Sequence, residues 1–255
     1  MEHQYFLNIA RWAAFSPQIA DAQQWQAWAT GNLSTIPAPT CTADLPQVPA
    51  MLRRRLSPLG RAALWTLYQI SEAAADTERP PLATIFCSRH GEVARTVTLL
   101  QELAAQQPLS PAAFSLSVHN AVGGIYSIAS GVTGHITALS AGPDSLCAAL
   151  LEAWSMLQDG DDDDRIHCVI YDDDLPPPYR QATDDSSQVQ ALAFEVRRPS
   201  DSGILLSFSL ESNPQQVRTA SINDQFLRFL LDGERQQLQL GADQRLWHWQ
   251  KPPSH

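Results

Sequence analysis

The chain has 255 residues, with 17 Lys and Arg against 27 Asp and Glu, and a formal net charge of −10 at pH 7. That balance excludes general binding to nucleic-acid backbones, which needs a basic face. An apolar content of 44% excludes intrinsic disorder, and no apolar run approaches the ~20 residues that span a bilayer.

The N-terminus, Met1-Glu2-His3-Gln4, lacks the basic region of a secretory signal, so a cytoplasmic protein is expected. Tyr5 to Phe15 is apolar and aromatic and reads as an opening strand. Asp21 to Trp28 reads as a short helix with Trp25 and Trp28 on one face, and the Pro-rich stretch Gly31 to Pro49 as a loop. In Met51 to Ala75, Leu52, Leu56, Leu59, Ala63, Leu64, Leu67 and Ile70 recur at helical spacing. Arg53, Arg54, Arg55 and Arg61 form a basic patch at the start of that helix. Arginine there opposes the helix dipole, at a cost of a few tenths of a kcal/mol each. The plain reading of the patch is a solvated helix end.

Leu82 to Cys87 reads as a buried strand, Ser88-Arg89-His90-Gly91 as a turn, and Glu92 to Ala105 as a helix with Val93, Val97, Leu100 and Leu103 inward. His90 beside Arg89 invites a catalytic role, but a structural role in tying loops together is the simpler account. Pro108 to Pro111 breaks the chain before the segment Phe114 to Asn120. His119 lies in an apolar stretch and needs a hydrogen-bond partner if buried. It reads more simply as a satisfied core histidine than as an acid–base group. Asn120 to Ser130 is a helix of small residues, and His135 to Ser140 leans to strand.

Next comes a strand, a sharp turn and a buried helix. Gly142 suits the turn and Pro143 the first helical position. From Ser145 to Leu157, the residues Leu146, Ala149, Leu150, Ala153, Trp154 and Leu157 recur at helical spacing. Enzymes present nucleophiles on this element, because the helix N-terminus stabilises an anion at the turn. Here Gly142 stands at the tip, and there is no Gly-x-Ser-x-Gly pattern. Cys147 is the nearest thiol, but it lies one turn into the helix and reads as core.

Asp159 to Asp164 fails as a calcium loop, since Asp164 takes the glycine position and Ile170 the bidentate-glutamate position. Arg165 to Tyr171 is the next strand, ended by Asp172-Asp173-Asp174. Ala191 to Val196 and Ile204 to Leu210 read as an antiparallel hairpin around Pro199 to Gly203. Ser221 to Leu231 is a helix with Ile222, Phe226, Phe229 and Leu230 inward, and the tail Leu238 to Trp249 packs back before Pro252-Pro253 ends order. Cys41, Cys87, Cys147 and Cys168 show no Cys-x-x-Cys spacing and read as reduced thiols. No metal or cofactor is expected, and the chain is read as a single unit over 1–255.

The region from about Leu52 to Tyr171 resembles the N-terminal half of β-ketoacyl synthases, in the thiolase-like superfamily. The likeness runs from Asn120-Ala121-Val122-Gly123-Gly124-Ile125 through Gly131-Val132-Thr133-Gly134, and from Leu139-Ser140-Ala141-Gly142 to Ser145-Leu146-Cys147-Ala148. It implies a layered α/β, thiolase-like fold with a shortened C-terminal part over 172–255. It also puts Gly142 at the position of the acyl-accepting cysteine.

Ser88-Arg89-His90-Gly91-Glu92 and the run Ser110 to Asn120 are similar to short ketosynthase-like proteins of aryl polyene clusters, which act as chain-length factors. The resemblance implies a non-catalytic subunit in a heterodimer with a full-length β-ketoacyl synthase, served by an acyl carrier protein, in type II polyketide synthesis. It implies that Phe114, Leu116, Val118, His119 and Asn120 lie near the acyl tunnel or the subunit interface. Ordinary core is the competing account of Phe114 and Val118. The strand beginning at His135 would pair across the dimer, and Arg53, Arg54, Arg55 and Arg61 would offer a docking point for the carrier protein or the partner. The alternatives are a stand-alone acyl-transferring enzyme, which would need a nucleophile such as Cys147, or a module that only binds an acyl chain or carrier protein.

Overall fold

A computed structural model describes residues 4–19, 21–33, 41–72, 82–159, 164–180, 187–188, 190–200, 202–212, 215, 217–242 and 244–252. The strands are β1 (Tyr5–Phe15), β2 (Thr84–Cys87), β3 (Ile136–Leu139), β4 (Arg165–Tyr171), β5 (Ala191–Arg197), β6 (Ile204–Ser212), β7 (Gln237–Ala242) and β8 (Arg245–Gln250). The helices are α1 (Ala22–Ala29), α2 (Ala50–Arg53), α3 (Pro58–Glu72), α4 (Val93–Ala104), α5 (Pro111–Ser115), α6 (Ala121–Ser130), α7 (Ser145–Asp159) and α8 (Ile222–Leu231).

The strands join in one mixed sheet in the order β3-β2-β4-β5-β1-β6-β8-β7. β2 runs parallel to β3 and β4, and the remaining pairs are antiparallel. The sequence of β2, Thr-Ile-Phe-Cys, has no polar alternation because it is buried on both faces. One face packs on α3 and α6 through Leu64, Leu67, Phe86, Tyr126, Val169 and Tyr171. The other packs on α1, α7 and α8 through Trp28, Leu146, Leu150, Cys168, Ile170 and Phe226. In β4, successive residues therefore serve opposite layers, as a strand's period of two requires.

Several expectations are corrected. The helix read over Met51 to Ala75 is two helices, α2 and α3. Pro58 opens α3, and the residue before a proline avoids the helical region. Ser57 caps α3, its Oγ accepting from Gly60 N at 2.9 Å and donating to Glu92 Oε1 at 2.6 Å. Arg53, Arg54 and Arg55 therefore stand at the C-terminal end of α2, where a cation does not oppose the dipole. In α4, Val97 and Leu99 are buried, whereas Leu100 and Leu103 are 50% and 58% exposed. β5 and β6 do not pair with each other, because β1 lies between them. The segment before Asn120 is helical, as α5, with Ser110 as N-cap. Residues 73–75, 160–163 and 253, to which the long helix, the acidic loop and the terminal Pro-Pro readings extend, lie outside the described residues.

The parallel trio fixes the functional end of the molecule. β2, β3 and β4 all point one way, so the segments that follow them, Ser88 onward, Ser140 onward and Asp172 onward, emerge side by side.

Candidate functional site

A cavity of about 200 Å³ lies at that end, lined by Arg89, His90, Gly142, Ser145, Asp172 and Asp173, with Gln18, Gln188 and Asn223 across from them. Gly142 sits at its wall with φ +60° and begins a short 3-10 turn, Gly142–Asp144, that leads into α7. A Cβ built on Gly142 would meet nothing within 4 Å. The tip of the strand–turn–helix element thus has room for a side chain and carries none.

Asp172 organises the opposite wall. It accepts hydrogen bonds from Ser88 Oγ at 2.9 Å, Arg89 N at 2.9 Å and His90 N at 3.0 Å. Ser88 Oγ in turn accepts from Gly91 N at 2.7 Å. Burial pushes the Asp172 carboxyl up, while these hydrogen bonds and the nearby His90 pull it back. This clamp holds the Ser88–Gly91 turn rigid. Gly91 has φ +58°, and a Cβ there would lie 2.8 Å from His119 Nδ1. His119 Nε2 donates to Leu139 O at 3.0 Å. His119 therefore ties the loop before α6 to the end of β3 and packs on Gly91, which is a bridging geometry.

The turn itself is fixed from below. Ser145 Oγ donates to Gly142 O at 2.7 Å and accepts from Ala141 N at 3.3 Å, so its hydroxyl is engaged by the backbone. Asp144 is 5% exposed and accepts from Trp247 Nε1 at 2.9 Å, with Arg245 Nη1 at 3.4 Å. Through this contact β8 is anchored to the turn. Neither clamp was visible in the sequence as such. In the sequence Asp172 reads as one of three adjacent carboxylates that end a strand and rarely converge on a metal, and Asp144 carries no signal at all.

The two thiols nearest the turn are buried. Cys147 is fully buried; burial pushes its thiol well up, with the Asp144 charge adding to the effect. Cys87, also buried, donates to Ser145 O at 3.2 Å, and burial with Asp172 pushes it up to about 12.

The remaining candidates lie away from the cavity. Phe114 is 62% exposed on α5 and Val118 39% exposed, while Leu116 is half-buried against the α3 and α6 layer. That is a correction to the core account of Phe114 and Val118. Asn120 is the exposed N-cap of α6 without a side-chain cap bond. His135 is exposed just before the edge strand β3, and its carbonyl accepts from Thr84 N at 2.9 Å. Arg53 donates to Leu45 O at 2.9 Å and Arg61 to Arg53 O at 3.1 Å, so both brace the chain, whereas Arg54 and Arg55 are exposed. Arg95 adds to the same basic surface, donating to Arg55 O at 2.7 Å. Among the described residues no group of three or more His, Cys, Asp or Glu could hold a metal, and no helix is long and apolar enough to cross a membrane.

Comparison with known proteins places this geometry. No curated protein matches the sequence. In three dimensions the chain is similar to a chain of the ketosynthase (ApeO) in complex with its chain length factor (ApeC) from Xenorhabdus doucetiae. The identity is 28% and the TM-score 0.77, covering 96% of this chain and 98% of that one. It has the fold of a β-ketoacyl synthase from Burkholderia phymatum (11% identity, TM-score 0.62, 90% of this chain and 70% of that one). It has the fold, too, of the ishigamide ketosynthase/chain length factor (14%, TM-score 0.61, 83% and 68%). The fold is thus the layered α/β, thiolase-like one. Residues 25–250 match the family described as β-ketoacyl synthase, N-terminal domain. The chain belongs to that family.

Proposed function

We propose that this protein is a non-catalytic, chain-length-factor-like subunit that pairs with a full-length β-ketoacyl synthase in aryl polyene or related type II polyketide synthesis. The observation that carries the reading is Gly142. The turn that would present a nucleophile survives with its φ of +60° and open space, but glycine has nothing to acylate. The buried thiols and the engaged Ser145 argue against a substitute in this chain. The partner would then supply the cysteine, the acid–base groups and the condensation.

Two further observations support the pairing. The similar chain from the ApeO–ApeC complex is nearly the same length as this one, whereas the β-ketoacyl synthase from Burkholderia phymatum is covered over only 70%. In addition, Leu100, Leu103, Phe114, Val118 and Ile128 are exposed on and between α4, α5 and α6, and β3, on which α6 packs, is the edge strand of the described sheet. Exposed apolar patches and open sheet edges are normally covered. In this reading the acyl tunnel runs by Phe114, Leu116 and Val118 at the interface, apart from the cavity at Gly142, whose lining mixes charged and amide side chains with Leu146, Leu175 and Ile222. Arg54, Arg55 and Arg95 would face an acidic acyl carrier protein or the partner.

The test is capture of the tagged protein from its native lysate, with native mass measurement of the complex. A stoichiometric ketosynthase of ordinary length is expected. A lone monomer or homodimer in the presence of that ketosynthase would overturn the reading.

A further inference from the structure

A second polar cluster lies at the other end of the sheet, independent of the role proposed for the Gly142 end. Arg165 and Tyr171 bound β4, so this cluster is about 20 Å from the cavity. On the face covered by α3, His167 on β4 stands opposite Glu195 on β5, with Arg11 of β1 on the far side of Glu195. In the adjacent row Arg165 stands directly opposite Arg197, with Asn8 beyond it. Paired residues on neighbouring strands lie about 5 Å apart, and like charges so placed repel.

The cluster is also short of partners. Among the described residues six buried side-chain nitrogen and oxygen atoms lack a hydrogen bond, and five are here: Asn8 Oδ1, Arg165 Nε, both ring nitrogens of His167, and Glu195 Oε2. Buried polar groups are nearly always paired, so five exceptions in one patch require an explanation. His167 Nε2 is 3.9 Å from Glu195 Oε2, too far for a hydrogen bond.

Arg11 and Arg197 flank the buried carboxylate of Glu195, while Arg165 stands across from Arg197. Arg197 is bonded to its Oε1 through Nε at 2.7 Å, and Arg11 Nη1 lies 3.7 Å from its Oε2. Arg11 also donates to Ile70 O near the C-terminal end of α3, which takes up part of its charge. Arg165 has Asp164 Oδ1 at 3.5 Å, and that aspartate is 65% exposed. The Arg11 and Arg197 side chains are 31% and 30% exposed, so the cluster can be reached from solvent.

We propose that Arg165, Arg197 and His167 form a binding site for a tetrahedral oxyanion of the phosphate class, with Arg11 at its rim. Such an ion is rich in acceptor oxygens, and sulfate offers nothing else. It would bridge the opposed guanidiniums, which favour bidentate contacts to phosphate, and give His167 an acceptor. The repulsive pair would become a bridged one.

The test is a titration of the full chain, carrying 13Cε1-labelled histidine, with inorganic phosphate at neutral pH and constant ionic strength. The His167 resonance, assigned with His167→Gln, is expected to shift and saturate, sulfate to compete, and chloride not to. Arg165→Gln is expected to raise the midpoint at least tenfold. An unmoved His167 resonance, a shift that grows without saturating, or an unchanged midpoint in Arg165→Gln would overturn the site. If Arg165→Gln does not fold, Arg197→Gln is read by the same criterion, and the wild-type titration decides by itself whether phosphate binds.

Discussion

At the scale of single residues, burial decides what the side chains can do. Cys87, Cys147 and Cys168 are all fully buried, and burial is the largest cause raising each thiol. Iodoacetamide on the folded protein is therefore expected to modify the half-buried Cys41 and to spare the other three until denaturant is added. Peptide mass spectrometry reads this directly, and rapid labelling of Cys147 in the folded chain would revive a thiol-based transferase. Glu195 is the opposite case. Burial pushes its carboxyl up, but the neighbouring groups, the Arg197 and Arg11 guanidiniums among them, outweigh that and hold it at about 2, against an ordinary 4.5. An acid held below its unfolded value adds stability above that value and loses it as the pH falls from 4.5 towards 2. Its loss has a slope of at most about 1.4 kcal/mol per pH unit. Glu195→Gln should flatten the acid limb of the stability curve in urea titrations. It should also cost about 3–5 kcal/mol at neutral pH, because the surrounding cations lose their counter-charge. An unchanged acid limb would assign the pH dependence to another carboxylate. Gly142 was legible in the sequence because a turn needs only local signals. The Asp172 clamp was not: its partner Ser88 is 84 residues away in the chain, and no local pattern encodes that distance.

At the scale of elements, periodicity located the strands and most helices, but not what they face. Val97, Leu100 and Leu103 share a helical stripe, and all were read as inward. Only Val97 is buried, since period alone cannot separate a core face from a face kept for a partner. Similarly, β5 and β6 are neighbours in sequence and read as a hairpin. β1, from the other end of the chain, enters between them because pairing with both buries its Leu7 and Ile9. The α4 stripe yields a direct prediction. Leu100→Glu with Leu103→Glu should leave the chain's own stability within about 0.5 kcal/mol per site, as surface changes do. It should nevertheless abolish co-purification with the ketosynthase, because two carboxylates would be buried in an apolar contact. Chemical denaturation and affinity capture of the same preparations separate the two effects. A complex that survives the double substitution would move the interface elsewhere.

At the scale of the whole molecule, the sheet has two ends with different chemistry. One carries the Gly142 turn and its clamps; the other carries the arginine cluster. If condensation belongs to the partner and this chain shapes the tunnel, then rate and product length respond to different subunits. In that reading Phe114, at 62% exposure, and the half-buried Leu116 are the side chains proposed to border the acyl chain. Phe114→Ala or Leu116→Ala, reconstituted with the ketosynthase and carrier protein, should shift the distribution of chain lengths. Turnover should stay within about tenfold, a barrier change below about 1.4 kcal/mol. Truncating a wall changes where growth stops, whereas it leaves the partner's reacting atoms in place. Mass spectrometry of the carrier-bound products alongside condensation rates tests both parts. Unchanged distributions from both variants would remove these residues from the tunnel. A collapse in rate with no shift in length would show that they hold the subunits together instead.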